Sequence, residues 1–214
     1  MHTRVTAART HGRYLIDIPE HSRATLVGFH GYKENAAIHM DVLRRIAGAR
    51  PLGLISIQGL HRFYSKGGEV VASWMTKEDR EHAIADNVDY VARVLTAVAE
   101  EPGITRPMIY VGFSQGVAMA FRAAAFVQHP CDALIALASD VPPDVAPVAG
   151  TLPRVLLGRG DRDELYEADQ AAKDLAVLNS AGVNVEEHVF SGGHLWAPAF
   201  IEKSAQLIDE LLTS

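Results

Sequence analysis

A chain of 214 residues is long enough for one sizeable core and short for two domains. Apolar residues make up 48% of it and charged residues 21%, an ordinary globular composition, and the net charge of -6 comes without a long block of either sign. That balance points to no nucleic-acid or anionic-membrane partner, and no apolar stretch approaches the length of a membrane span.

Val5–Thr10 and Arg13–Ile18 flank His11-Gly12, a pattern that predicts an N-terminal β-hairpin. Thr25–Phe29 is a short apolar run, the mark of a buried strand. Glu34–Ala49 carries Ile38, Val42, Leu43 and Ile46 at helical spacing and is followed by Pro51. Leu52–Ile57 predicts the next strand, and residues 59–75 read as a connection rich in glycine and aromatic residues. A long helix is expected from Thr76 toward Glu100, with Ile84, Val88, Val91, Leu95 and Val98 on one stripe, broken by Pro102-Gly103.

Met108–Phe113 predicts a strand and Gln115–Val127 an alanine-rich helix, with Ser114 between them. Ala133–Ala138 predicts a strand, Asp140–Leu152 a proline-rich loop, Arg154–Gly158 a strand, and Glu167–Ala181 a helix closed by Gly182. Val183–Phe190 is the last expected strand and Pro198–Leu212 the last helix. Strand alternating with helix after residue 24 implies a mainly parallel sheet with helices on both faces, in one domain spanning 1–214. Right-handed crossovers place every strand's C-terminal end on one edge, where the loops carry the chemistry.

The single cysteine, Cys131, excludes an intrachain disulfide and reads as a buried structural thiol. Met1-His2-Thr3-Arg4 leads into no apolar segment of the secretory kind, so a cytoplasmic location is expected. His-Glu-x-x-His, cysteine pairs and a phosphate-binding glycine loop are all missing, so neither a metal nor another cofactor is expected.

Gly112-Phe113-Ser114-Gln115-Gly116 is Gly-x-Ser-x-Gly, a pattern that about one chain in ten of this length would carry by chance. Its context makes it informative: an apolar strand runs straight into it and a helix starts straight after it. A serine held there stands out of the sheet on a strained turn, and the amide of Gln115 at the helix N-terminus faces a reacting carbonyl oxygen. The competing reading is a strand-to-helix turn with a serine N-cap.

Serine needs a base, and the order expected on such a scaffold is Ser, then Asp or Glu, then His. His194, after Ser191-Gly192-Gly193 and between the last strand and last helix, is the candidate. Asp161 and Asp163 both follow a strand end, and Asp140 lies one strand earlier; Asp163 is preferred, then Asp161, then Asp140. The chosen acid must be buried against the imidazole.

Together with His30-Gly31-Tyr32-Lys33-Glu34-Asn35 and Gly193-His194, the serine motif resembles the phospholipase/carboxylesterase group of α/β-hydrolases, which includes acyl-protein thioesterases. The likeness runs from about Leu26 to the end. It implies an α/β-hydrolase fold without a large cap domain. Aligning Gly160-x-x-Asp163-x-Leu165-Tyr166 with the group's Gly-x-x-Asp pattern implies Asp163 as the acid. The resemblance also implies the amide of Tyr32 as second oxyanion donor, with glycine in many relatives where this chain has Lys33. The side chain of His30 reads as structural, its ring bonding within the loop. Phe63, Tyr64, Trp74 and Trp196 are candidates to line the pocket.

The expected activity is hydrolysis of small or medium carboxylic esters through an acyl-enzyme on Ser114, with thioester or lysophospholipid cleavage as the alternative. Peptides are disfavoured for want of a domain to orient them. A rival of another class is a ligand-binding protein that keeps the scaffold without catalysis.

Overall fold

The computed structural model describes residues 2–213. Its centre is a seven-stranded sheet built from β1 (Arg13–Asp17), β2 (Thr25–Phe29), β3 (Gly53–Gln58), β6 (Met108–Phe113), β7 (Ala133–Leu137), β8 (Arg154–Gly160) and β9 (Val185–Phe190). A separate antiparallel pair joins β4 (His61–Tyr64) to β5 (Val70–Ser73). The helices are α1 (Ala36–Ala47), α2 (Arg80–Ala99), α3 (Gln115–Phe126), α4 (Ala168–Ser180) and α5 (Pro198–Thr213), with a short 3-10 turn at Ala146–Thr151.

The strand order is β1-β3-β2-β6-β7-β8-β9, parallel throughout except for β1, which runs antiparallel to β3. Strands β2, β3, β6 and β7 are buried along their whole length, as a parallel sheet covered on both faces requires. Alternation sorts their side chains into two layers. Leu26, Ile109, Ile135 and Leu156 meet α1 and α5, while Val27, Tyr110, Leu134 and Val155 face α2, α3 and the end of α4. Burial of these continuous apolar runs is the main stabilising term.

The expected N-terminal hairpin does not form. Residues 2–12 are irregular and exposed, and Arg13 pairs with Gln58 of β3 instead. The physical reason is burial: Val5–Thr10 offers only Val5 and alanines to a partner, whereas docking on β3 lets Tyr14 and Leu15 pack against the two core layers. The connection at 59–75 contains the β4–β5 pair, turning through Gly68 at φ +83. Cys131 is half-buried, its Sγ donating to Ala133 O, and burial holds the thiol above its ordinary range.

Candidate active site

Strand β6 delivers Ser114 directly to the start of α3, and the backbone there is bent hard: φ is +49 and ψ is -125. A left-handed non-glycine residue costs about 1–3 kcal/mol and persists only where its surroundings enforce it. The surroundings are tight. A Cβ on Gly116 would stand 2.0 Å from the carbonyl oxygen of Phe29, and one on Gly112 would stand 2.7 Å from Cα of Val117. The Ser114 amide is held by Leu137 O at 2.9 Å. The side chain of Gln115 locks the turn from the other side, accepting from Trp74 N at 2.8 Å and donating to Met75 O at 2.8 Å.

His194 and Asp163 arrive from neighbouring strand ends. The loops after β8 and β9 are laced together: Asp161 N donates to Phe190 O at 2.8 Å and Arg162 N to Gly192 O at 2.9 Å. Gly160 permits this, since a Cβ there would lie 2.3 Å from Gly192 O. The Nδ1 of His194 sits 2.9 Å from Oδ2 of Asp163 and 3.1 Å from Oδ1. The Asp163 side chain is 0% exposed and that of His194 20%. Leu165 N and Tyr166 N also donate to Asp163 Oδ1, at 2.9 and 3.0 Å.

The other two carboxylates are occupied elsewhere. Asp161 accepts from Gly192 N and pairs with Arg162, and the exposed Asp140 accepts from Ser139. Phe113 joins His194 to the serine turn, its ring 5.1 Å from that of His194. Ser114 Oγ has no hydrogen-bond partner among the described residues. Such bonds are often long before substrate binds and tighten in the complex.

The loop after β2 faces the serine turn. Glu34 N donates to Gly31 O at 3.2 Å, closing a four-residue turn whose third member, Lys33, takes φ +65. That is the conformation for which glycine is favoured, and Lys33 adopts it. Lys33 N and Ala72 O, then Ala72 N and Glu34 O, tie the turn to β5 at 3.2 and 2.7 Å. Neither the Tyr32 amide nor the Gln115 amide has an acceptor among the described residues.

The ring of His30 is consumed within the loop: Gly59 N donates to Nε2 at 3.0 Å, which leaves Nδ1–H to donate to Gly31 O at 2.7 Å. Burial lowers its pKa to about 4, in keeping with a neutral ring. Glu34 reaches back so that Oε2 accepts from Gly31 N at 2.7 Å, and burial raises its carboxyl above the ordinary range, countered by that bond and by the nearby His194. Neither Glu34 nor the side chain of Gln115 was singled out from the sequence. The one available signal was an acid three residues after a loop glycine.

The four aromatic candidates are divided by the structure. Phe63 stacks on the exposed ring of Tyr32 with centroids 5.7 Å apart, which puts it beside the loop. Tyr64 is on the outside of the β4–β5 pair and 76% exposed. Trp74 lines no pocket. It is 0% exposed and its Nε1 donates to His30 O at 2.8 Å, so it is a support beneath the loop. Trp196 is likewise packed in, against Phe113 and Phe200 with centroids 5.9 and 5.8 Å away. Trp74 packs into the layer of α2 and α3 and Trp196 into the layer of α1 and α5, where the large indole surfaces are buried.

The sequence model describing the phospholipase/carboxylesterase family matches residues 17–212. No curated protein matches the chain in sequence. Among solved structures it is similar to esterase PE8, at 22% identity and a TM-score of 0.74, covering 94% of this chain and 98% of that one. It is similar to acyl-protein thioesterase 2 of Zea mays at 20% identity and 0.73, covering 94% and 100%, and to a carboxylesterase of Bacillus cereus at 16% and 0.76, covering 94% of each.

Proposed function

Because this chain belongs to the phospholipase/carboxylesterase family of α/β-hydrolases, we propose that it cleaves carboxylic esters through an acyl-enzyme on Ser114. The observation that carries the proposal is the His194–Asp163 contact at 2.9 Å, with the base resting on Phe113, the residue before the serine.

With Nδ1 turned to Asp163, the free Nε2 of His194 takes the proton of Ser114 as Oγ bonds to the ester carbonyl carbon. The carbonyl oxygen becomes an oxyanion between the amides of Tyr32 and Gln115, neither of which has an acceptor among the described residues. Collapse breaks the bond to the leaving alkoxide, which departs as alcohol with the proton from His194. Water then gives a proton to His194 as its oxygen bonds to the acyl carbon, and collapse of that second intermediate breaks the bond to Ser114 Oγ, which takes the proton back from His194 as the acid leaves. Asp163 holds the imidazole in the tautomer that this sequence needs and offsets its transient charge.

Leu165 and Leu195 lie within two residues of Asp163 and His194 and are 78% and 48% exposed. They supply apolar contact for a small or medium acyl group. Thioesters react by the same steps, and an acyl-protein thioesterase is among the similar structures. The test is labelling by a fluorophosphonate together with hydrolysis of 4-nitrophenyl acetate. Wild type should label on Ser114, while Ser114→Ala should neither label nor retain more than about 1 part in 10⁴ of the rate. Activity of that variant within tenfold of wild type refutes the proposal.

A further inference from the structure

The first two peptide planes of residues 30–34 are each pinned in a way that a loop seldom is. In a trans peptide the C=O and the following N–H point in opposite directions, so fixing one end fixes the other. In the plane between His30 and Gly31, Trp74 Nε1 donates to the carbonyl of His30 at 2.8 Å, and the amide of Gly31 donates to Oε2 of Glu34 at 2.7 Å. In the plane between Gly31 and Tyr32, the carbonyl of Gly31 accepts from His30 Nδ1 at 2.7 Å and from Glu34 N at 3.2 Å. Both donors lie on the protein side of that carbonyl. The opposite end of the plane is the Tyr32 N–H, which is thereby aimed away from them and left unpaired.

We propose that Glu34 is a positioning residue for the reaction: its side chain and its own amide clamp the two peptide planes that orient the Tyr32 N–H toward the developing oxyanion. His30 and Trp74 complete the clamp, and the role rests on the acyl-enzyme reading above. A glutamate suits the task because its amide closes the turn while its carboxylate folds back three residues, a reach that a smaller side chain lacks. The same carboxylate lies near Phe113 and His194: a Cβ on Gly31 would be 2.9 Å from Cδ1 of Phe113 and 3.2 Å from Oε2 of Glu34. Glu34 therefore offers two separable features, a hydrogen bond to Gly31 and a carboxylate near His194.

The experiment compares Glu34→Ala, Glu34→Gln and Ser114→Ala on 4-nitrophenyl acetate. Active sites are counted by exhaustive fluorophosphonate labelling, so that a partly folded variant is still scored per competent site. The oxyanion exists only after attack, so losing its donor's alignment should lower kcat and leave KM nearly unchanged. A misaligned donor is worth about a hundredfold. Glu34→Ala should show a fall of that order. Glu34→Gln keeps an acceptor for the Gly31 amide and should run within about threefold to tenfold of wild type. Glu34→Ala at wild-type kcat, or a change confined to KM, overturns the positioning role while an inactive Ser114→Ala leaves the acyl-enzyme reading standing. Glu34→Gln as slow as Glu34→Ala overturns it as well, since charge and not the clamp would then be the active element. An active Ser114→Ala overturns the parent reading and this role with it.

Discussion

Acidification from pH 7 to pH 5 should cost this fold up to about 4 kcal/mol through two buried histidines. Burial lowers His30 to about 4 and His39 to about 3, from an ordinary 6.5. His39 lies wholly inside α1's buried face, its Nε2 bonded to Val111 O at 3.2 Å. At pH 5 an unfolded histidine is protonated and both folded rings are neutral. The unfolded state binds more protons, so stability falls as pH falls through 6.5 and continues to fall until the folded values are reached. Over the 1.5 units between 6.5 and 5, each ring accounts for about 2 kcal/mol at 1.36 kcal/mol per unit. Glu34 and Asp174, whose carboxyls burial raises, take up protons earlier in the folded state and offset part of this. Urea unfolding at pH 7 and pH 5 measures the difference. Tryptophan fluorescence is a local reporter, because Trp74 lies 5.2 Å from His30 and Trp196 lies 6.1 Å from His39. His39→Gln should be less stable at pH 7 yet lose about 2 kcal/mol less on acidification. An identical pH slope in wild type and variant, or stability that climbs toward pH 5, would refute the reasoning.

Asp163→Asn should lower kcat by about four decades, since the amide favours the wrong imidazole tautomer, while Asp161→Asn and Asp140→Asn should stay within about tenfold; steady-state rates on one ester decide it, and a dominant loss in either of the latter two reassigns the acid. Gly116→Ala forces a Cβ to within 2.0 Å of Phe29 O and cannot be relieved by a rotamer change, so soluble yield or melting temperature should drop sharply; a normally folded variant would show that the serine turn has slack.

The long elements were legible because their periodicity reports burial directly. Strand β6 and helix α3 are apolar on the faces that the sheet covers, and the serine between them follows from their junction. Asp163, the acid proposed here, was preferred through the likeness to the family's Gly-x-x-Asp pattern; in the structure Gly160 allows the close approach of Gly192 and Asp163 reaches His194. The β4–β5 pair escaped because His61, Arg62 and Tyr64 are exposed and leave no alternation to read. The role of Trp74 escaped for a different reason. Its partner is the main-chain carbonyl of His30, and a backbone acceptor leaves no mark in the sequence of the residue that supplies it.

Lys33 connects these misses to the chemistry. A lysine at φ +65 is held against its own preference, at a cost of about 1–2 kcal/mol, where glycine would sit freely. Local propensity therefore does not set this turn. The bonds that do are tertiary: Lys33 N to Ala72 O, Ala72 N to Glu34 O, and Gly31 N to the Glu34 carboxylate. Ala72 belongs to β5, so the small strand pair that looked like a mere connection braces the loop carrying the Tyr32 amide. Gln115 closes the circuit by gripping Trp74 N and Met75 O just past β5. Both amides proposed to hold the oxyanion thus depend on one segment, residues 70–75. A disturbance there should reach the serine turn and the Tyr32 loop together, with no change in Ser114, His194 or Asp163.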